Sequence, residues 1–491
     1  MINAPRLLNG NSTPSLPDTL FSDLQIDKIL SSQSIAVLQH PCEQSEIVRR
    51  NELFLLLDKG ENVAHVENTL SALCATESAL YLLKDAKIPL DIYYRQAELF
   101  ESYLASCDAL ASMYDIGELF ADVANHYSSE ESPKMRSEMK KSAHKIRCLL
   151  SQMNVGLLFF ADKNWLTPDY DAVSEIDSIS ACAKSLGCSV PAKKAQNTKI
   201  NLSLSEAICR LYSDKVEQIE SEIAKYANVD FHEPLMYISE IKFFLEIHSL
   251  MQRASKLGVP HTIAKIANAP QYAAKELYDI SLLAKNCETI IPNDADFTEK
   301  EPFCFLLGAN GGGKTTYLRA LGINLIFFLA GCPVFAKEAE IYPFDIVLSH
   351  FPRDERFDNT GRLDEERKRT EEMLNIAQNK TAFLFFNETF SGTDDKRGFD
   401  LLTDTVAKIA ESKQFGLYVT HFHEVLSLDY PVLSAEVDLS DANKRTFRIV
   451  RSKGSASSYA SDILKKYRLD KDSLVARRCG HGNWHFVFER A

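Results

Sequence analysis

The stretch FCFLLGANGGGKTTYL, from Phe303 to Leu318, decides the fold of the second half of the chain. A short apolar run of strand length leads into Gly308, and a helical pattern follows the glycines. The segment from Gly308 to Thr315 fits G-x-x-x-x-G-K-[ST], a loop whose backbone N–H groups surround phosphate oxygens. The strand before the loop and the helix after it are the context that this motif requires. The sequence therefore predicts a phosphate-binding loop at this place.

Two side chains of the loop carry the expected chemistry. Lys314 can reach the β- and γ-phosphates of a nucleotide, and the hydroxyl of Thr315 can ligate Mg²⁺. The N-terminus of the following helix adds a partial positive charge at the same place. ATP and Mg²⁺ are therefore the predicted cofactors.

A second buried strand ends in a polar pair. In TAFLFFNE an apolar run leads into Asn387 and Glu388, which we expect at the end of a strand neighbouring the loop strand, beside the loop. Many ATPases have Asp at the first position, where it orients a magnesium-bound water, and the following Glu polarises the attacking water. Asn387 keeps an oxygen that accepts a hydrogen bond but lacks the negative charge, so we expect weaker Mg²⁺ binding. Because Glu388 and Lys314 are intact, we expect slow hydrolysis to survive; the alternative is a nucleotide switch without turnover.

A third strand, FGLYVTH, ends at His421, where an imidazole can sense the γ-phosphate. The alternative for His421 is a structural hydrogen bond at a strand end. The predicted catalytic residues are therefore Glu388, Lys314 and His421. The predicted metal contacts are Thr315 and Asn387.

The pattern of apolar residues changes near residue 286. Residues 1–285 read as mostly α-helical, whereas 286–491 alternate strand-length apolar runs with helices, the pattern of an α/β domain with a largely parallel sheet. The clearest helix starts at the capping-box pattern SLSE, Ser203 to Glu206, and its apolar face predicts one helix of about 25 residues, ~38 Å long. A second helix is predicted from about 233 to 257, and a loop or small insertion near 154–201.

Taken together, these motifs resemble the ATPase domain of the MutS family of DNA mismatch-repair ATPases. The family loop G-P-N-M-G-G-K-[ST]-T is similar to the segment from Gly308 to Thr316, and ETFSGTDDKRG and VTHFHEV resemble further family motifs. The resemblance spans most of residues 286–480 and implies a P-loop ATPase domain of the ABC type with a small helical C-terminal segment. The implied nucleotide contacts in the loop are Gly308, Asn310, Gly311, Gly312, Gly313, Lys314, Thr315 and Thr316.

Upstream the resemblance is weaker. HPCEQSEIVRRNELF, His40 to Phe54, is similar to a segment of the family's helical core, which implies a core and lever region over 1–285. No counterpart of the mismatch-reading or connector domain is found, and too little chain separates the levers for a full clamp domain. Helices near 455–480 would serve dimerisation. The resemblance thus implies a short, divergent member, acting as a homodimer.

Four positions depart from the family pattern. Asn387 replaces an Asp, and Ile290 stands where the family often stacks an aromatic ring on adenine. Arg397 stands where the family has an Asp that contacts the partner subunit. Gly361 and Arg362 lie nearest the signature Ser that caps the γ-phosphate of the opposite subunit. Arg362 can act as a trans-acting cation or pair with a neighbouring acidic residue, and both interpretations stay open.

Composition gives weaker evidence on partners and compartment. The formal net charge of −13 counts against general adhesion to polyanions but leaves room for a local basic face. The absence of a secretion signal, of membrane-length apolar runs and of CxxC pairs among the 11 cysteines predicts a cytoplasmic protein that does not enter a membrane.

Two basic groups are candidates for DNA contact. One lies between Ser132 and Arg147, and the other comprises Lys193, Lys194 and Lys199. Both can contact DNA phosphates, and both can equally be solvated surfaces. No aromatic wedge for base reading is visible, so we expect recognition of duplex or branched DNA by shape or by ends.

The leading hypothesis is a homodimeric DNA-binding ATPase of the MutS type, acting in DNA repair or recombination. ATP bound between two ATPase domains would move the levers and change the grip on DNA. The alternative is a nucleotide-gated protein-interaction switch with little or no hydrolysis. Strongly salt-dependent DNA binding would favour the first hypothesis.

Overall fold

The computed structural model describes residues 5–8, 14–60, 62–129, 131–159, 164–168, 202–285, 287, 289–352, 362–391, 395–437 and 445–452. The chain divides into two compact units, Met1–Asn9 with Lys59–Leu245, and Gly10–Asp58 with Glu246–Ala491. This division by contacts does not coincide with the boundary at residue 285, which stays a prediction about the order of domains along the chain.

The described α-helices are, in chain order, α1 (Asp18–Asp23), α2 (Ser32–Leu38), α3 (Gln44–Asp58), α4 (Val63–Asp85), α5 (Pro89–Ala111), α6 (Glu118–Ser128), α7 (Glu131–Ser151), α8 (Leu202–Leu211), α9 (Ser213–Ala224), α10 (Tyr237–Lys256), α11 (Ser281–Ala284), α12 (Lys314–Leu329), α13 (Arg362–Ala377) and α14 (Asp395–Glu411). In the described part of the chain, no helix is long and apolar enough to cross a membrane.

The described strands are, in chain order, β1 (Val155–Phe159), β2 (Asn164–Pro168), β3 (Lys265–Ile266), β4 (Gln271–Leu277), β5 (Asn293–Thr298), β6 (Phe303–Leu307), β7 (Glu338–Ile341), β8 (Ile346–His350), β9 (Ala382–Asn387), β10 (Phe415–Val419), β11 (Val432–Val437) and β12 (Arg445–Arg451). They form a hairpin, a six-stranded sheet and a four-stranded sheet. The structure is therefore mixed helix and sheet, with strands β3 and β4 in the stretch that the sequence predicted to be helical.

Within its described residues, the first unit is helical apart from the β1–β2 hairpin. Its longest helices, α4 and α5, are joined by a short connection and pack against each other. Pro89 opens α5, a position where its missing N–H leaves no helical bond unmade. Between the two helices the hydroxyls of Thr76 and Ser106 lie 2.8 Å apart, so these two buried polar groups satisfy each other.

The prediction of one continuous helix after Ser203 is wrong. The helix already begins at Leu202, and the backbone leaves helical geometry at Tyr212 (φ −116°, ψ 40°) before α9 begins. The Tyr212 hydroxyl donates to the carbonyl oxygen of Asn154, a contact that periodicity within one segment cannot reveal. The helix predicted from about 233 to 257 is confirmed as a 3₁₀ turn followed by α10.

The insertion predicted near 154–201 contains the antiparallel β1–β2 hairpin. The rest of that segment, with Lys193, Lys194 and Lys199, lies outside the described residues. The predicted dimerisation helices near 455–480 lie outside them as well.

The second unit is built on the six-stranded sheet, whose order is β12-β11-β6-β10-β9-β8. Strands β11, β6, β10, β9 and β8 pair in parallel, and β12 is antiparallel at one edge. This agrees with the predicted, largely parallel sheet. Residues 382–386 of β9 are fully buried, as expected for a strand covered on both faces.

The four-stranded sheet, in the order β3-β7-β4-β5, packs on the larger sheet through aromatic rings. Phe383 of β9 lies with its ring centroid 5.7 Å from Tyr272, 5.2 Å from Phe297 and 5.4 Å from Phe344, each in an edge-to-face arrangement. Phe383 is completely buried. The strand that leads into Asn387 is therefore fixed by one dense aromatic cluster.

The segment from Gly10 to Asp58 is part of this second unit. Arg50 of α3 is 2% exposed, and its guanidinium donates to Glu46 and to the carbonyl oxygen of Ala330, each at 2.9 Å. The Arg50 side chain thus satisfies a carbonyl at the C-terminal end of α12. Sequence reasoning grouped this segment with the helical region, because nothing local indicates that its partner lies at residue 330.

Candidate functional site

The loop between β6 and α12 makes a tight turn at the carboxyl end of the parallel sheet. Gly308 (φ +144°) and Gly313 (φ +93°) adopt backbone conformations that favour glycine. A Cβ at Gly308 would lie 2.7 Å from the Cβ of Ala435 on β11, so the space as well as the conformation requires glycine there. The loop and the first turn of α12 contain the predicted nucleotide contacts Gly308, Asn310, Gly311, Gly312, Gly313, Lys314, Thr315 and Thr316.

Lys314 is the first residue of α12, and only 5% of its side chain is exposed. Its Nζ donates to the Gly308 carbonyl oxygen at 2.7 Å and to Asn310 Oδ1 at 3.4 Å, and it lies 3.7 Å from Glu388 Oε1. Burial lowers the pKa of Lys314, while the Glu388 carboxylate acts in the opposite direction. The Lys314 ammonium group is thus desolvated and hydrogen-bonded to its own loop, where it can bind an incoming anion.

The end of β9 lies one strand further from the loop than the sequence suggested. Sequence reasoning placed β9 beside the loop strand, but β10 lies between β9 and β6. The pairing register puts Leu306, Val419 and Asn387 in one row across the three strands. The Thr315 hydroxyl still donates to Asn387 Oδ1, at 3.5 Å. The first turn of α12 therefore reaches across β10 to β9.

Glu388 follows β9 in a left-handed backbone conformation, with φ +51°. Its N–H donates to the Val419 carbonyl oxygen at 2.8 Å, and 35% of its side chain is exposed. The carboxylate is thus held near Lys314 yet open to water. This is the placement that a base for an attacking water needs.

The donor set at Thr315 and Asn387 suits a hard cation. A hydroxyl and an amide oxygen are ligands that Mg²⁺ accepts, usually together with water and substrate phosphates. Among the described residues, no group of three or more His, Cys, Asp or Glu could hold a metal ion. A Mg²⁺ ion at this place would therefore take its remaining ligands from nucleotide phosphates and water.

Asn387→Asp should tighten Mg²⁺ binding in the presence of nucleotide, by about tenfold, because it restores a charge-assisted contact with the ion's ligand shell. A Mg²⁺ titration of nucleotide binding measures this. Asn375→Asp on the exposed face of α13 is the matched control for the added charge. An unchanged Mg²⁺ requirement in Asn387→Asp would place the ion elsewhere.

Three other predicted residues, His421, Ile290 and Arg362, lie after β10, before β5 and at the start of α13, respectively. His421 is exposed after β10, and its ring centroid lies 4.4 Å from that of Phe422. In the described part of the chain, no hydrogen bond or ion pair joins His421 to Glu388 or Lys314. Ile290 is half-buried ahead of β5. Arg362 begins α13, Gly361 lies outside the described residues, and both interpretations of Arg362 stay open.

Sequence reasoning missed the contribution of β12. Arg445 Nη2 donates to the Asn310 carbonyl oxygen at 3.4 Å, and its charge adds to burial in lowering the pKa of Lys314. The exposed ring of Phe447 lies against Gly313. A second cation is thus present at the loop. The pattern KRTFRIV predicts a strand, but no local signal says that the strand returns to a loop 135 positions earlier.

These features define the second unit as a mixed α/β domain whose parallel strand ends carry a glycine loop, a buried lysine and a carboxylate. Residues 304–465 match the family model for MutS domain V. This part of the chain is therefore similar to the MutS family, at low sequence identity.

Proteins similar to this chain are named as DNA mismatch repair proteins in several organisms. The chain is 24% identical over 239 residues to a mitochondrial DNA mismatch repair protein mutS homolog of Sarcophyton glaucum, covering 45% of this chain and 24% of that protein. It is 24% identical over 280 residues to the DNA mismatch repair protein MutS of Fusobacterium nucleatum, covering 53% and 30%. It is 31% identical over 150 residues to the DNA mismatch repair protein msh-2 of Neurospora crassa, covering 29% and 16%. The matches thus span less than a third of these relatives.

Proposed function

We propose that the chain binds and hydrolyses ATP in its MutS domain V and uses the nucleotide cycle to change its hold on DNA. One observation carries the proposal: Thr315 contacts Asn387 across 72 positions of sequence, while Lys314 lies 3.7 Å from Glu388. Four side chains from two distant motifs thus meet at one edge of the sheet. Their chemistry, a cation, two oxygen ligands and a base, is that of phosphoryl transfer to water.

Each residue has a defined part in that reaction. Lys314 exchanges its contacts with Gly308 and Asn310 for phosphate oxygens, which compensates the desolvation of its ammonium group. Glu388 orients a water and takes its proton as the water oxygen bonds to the γ-phosphorus. The bond from that phosphorus to the β–γ bridging oxygen breaks, and ADP leaves with the electron pair. Thr315 and Asn387 would hold Mg²⁺, which would offset the negative charge that develops on the phosphates.

The proposal of DNA as partner rests on the names of the relatives and on α7. Arg136, Lys145 and Arg147 of this helix pair with Asp108, Glu222 and Glu101, respectively. Their charges are thus partly neutralised. Lys134, Lys140 and Lys141 are exposed and have no ion pair among the described residues. These three lysines are the phosphate contacts that we propose on α7.

We further propose that the protein works as a homodimer in DNA repair or recombination. The segment at Gly361 and Arg362 resembles one that acts on the nucleotide of a second subunit. In that arrangement a complete site forms only when two ATPase domains meet. Nucleotide binding and dimerisation would then be linked, each favouring the other.

Nucleotide binding by wild type and Lys314→Ala tests the first step. We expect wild type to bind ATP with Mg²⁺ and Lys314→Ala to bind at least about tenfold more weakly, because a charge-assisted phosphate contact is lost. Lys408→Ala, which removes an exposed lysine of α14, is the control and should bind like wild type. Equal ATP affinity in wild type and Lys314→Ala would contradict the proposed site.

DNA binding is tested separately, by measuring the affinity for duplex and branched DNA at increasing salt concentration. We expect the affinity to fall by at least about tenfold between ~50 and ~200 mM salt. Replacing Lys134, Lys140 and Lys141 together by Gln should weaken binding and reduce this salt dependence. ATP binding without any DNA binding would leave the nucleotide site intact and remove DNA as the partner.

A further inference from the structure

The turn that carries Glu388 is strained. Glu388 (φ +51°) and Phe390 (φ +66°) both adopt left-handed backbone conformations that residues with a side chain rarely take. Such a conformation is unfavourable and persists only where the surroundings impose it. The groups that hold residues 388–390 therefore decide where the Glu388 carboxylate points.

Three hydrogen bonds from other described residues hold the backbone of this turn. Two come from β10, where the Val419 carbonyl oxygen accepts from the Glu388 N–H at 2.8 Å and the Tyr418 hydroxyl donates to the Thr389 carbonyl oxygen at 3.1 Å. The third comes from the opposite side: the Phe390 N–H donates to Glu366 Oε2 of α13 at 2.9 Å. The turn is thus fixed from both sides, and the Glu366 carboxylate makes the contact from α13.

Glu366 is itself fixed in place. It is 5% exposed, and its carbonyl oxygen accepts from His350 Nε2 at 3.3 Å. Because a carbonyl only accepts, Nε2 carries the proton, and His350 Nδ1 accepts from the Thr389 hydroxyl at 3.1 Å. A buried polar network therefore joins α13, β8 and the Glu388 turn. Burying a carboxylate is unfavourable unless its acceptors are used, and the Phe390 N–H uses one of them.

We propose that Glu366 is a positioning residue for hydrolysis: its carboxylate holds the strained turn in the conformation that presents Glu388 to the attacking water. This inference rests on the proposed ATPase function. It adds that α13 contacts the turn of the proposed base, Glu388, through Glu366. Glu366 lies one helical turn after Arg362, where α13 begins. Glu366 would not touch nucleotide; it would act through the backbone of Phe390.

Two conservative variants separate positioning from simple stability. Glu366→Gln keeps an oxygen that accepts the Phe390 N–H. Glu366→Asp keeps the charge but withdraws the acceptor by about 1.5 Å, one carbon–carbon bond. Misplacement of a reacting group on this scale can lower a rate by about 100-fold. Glu372→Asp, an exposed neighbour on α13, is the control for the same shortening.

The measurements are kcat and KM for ATP, the Kd for ATP with Mg²⁺, and the thermal midpoint of each variant. We expect Glu366→Asp to lower kcat about 10–100-fold with the ATP Kd changed less than about threefold. Glu366→Gln and Glu372→Asp should keep kcat within about threefold of wild type. The inference would be overturned if the kcat of Glu366→Asp equalled that of Glu372→Asp. It would also be overturned if the kcat of Glu366→Gln were as low as that of Glu366→Asp.

The same assay separates the two proposals. If wild type binds ATP and hydrolyses it while Glu366→Asp is unimpaired, only the positioning role is lost. If wild type binds ATP without hydrolysis above the level of Lys314→Ala, no base acts and the positioning role is lost with it. If wild type does not bind ATP, the proposed function itself is wrong.

Discussion

Glu388→Gln should hydrolyse ATP at least about 100-fold more slowly than wild type, because a positioned general base contributes about 10²–10⁴-fold to such a reaction. ATP affinity should stay within about threefold or rise, since Gln has the same shape and removes a negative charge near the phosphates. The Glu388 carboxylate is the group that lies beside Lys314 and is open to water. Turnover and the ATP Kd, measured on the same preparation, test this.

The control for Glu388→Gln is Glu411→Gln, the same change at an exposed position at the end of α14. It should turn over like wild type. If Glu388→Gln keeps full turnover while Lys314→Ala loses it, the base lies elsewhere in the site. If wild type itself shows no turnover above Lys314→Ala, Asn387 marks a nucleotide switch that does not hydrolyse.

The parts of the site that sequence reasoning located are those with local signals. The Gly308–Thr315 loop needs particular glycines for its own backbone, so its pattern is visible within eight residues. The pair Asn387 and Glu388 is visible because a buried apolar strand ends there. Neither signal depends on which strands are neighbours. Both sets of residues therefore lie together in the structure, even though the strand order was predicted wrongly.

What sequence reasoning missed depends on distant contacts. The break at Tyr212 is fixed by the carbonyl of Asn154, and the packing of Arg50 by the end of α12. Arg445 and Glu366 belong to the site only because β12 and α13 return to it in three dimensions. Periodicity and motif spacing describe one segment at a time, so contacts of this kind leave no local trace.

Phe383→Ala should lower the free energy of unfolding of the second unit by about 3–5 kcal/mol, through lost burial and the cavity left behind. Phe383 is fully buried, and its neighbours Tyr272, Phe297 and Phe344 lie in β4, in β5 and in the connection between β7 and β8. Such a site cannot close by moving one side chain. Hydrogen exchange of the β9 and β10 amides reports on this unit specifically, which matters because a chain of two units need not unfold in one step.

Phe447→Ala is the same chemical change at a phenylalanine that is 47% exposed, and it should cost less than about 1 kcal/mol. If Phe383→Ala lowers the free energy of unfolding no more than Phe447→Ala does, the neighbouring aromatic side chains must move to fill the cavity. The comparison also bears on the site. Because β9 leads directly from Phe383 to Asn387 and Glu388, loosening of the cluster should displace both residues together. Turnover should then fall before global unfolding is detectable. Because Phe447 lies against Gly313 of the loop, Phe447→Ala is the control for stability and not for turnover.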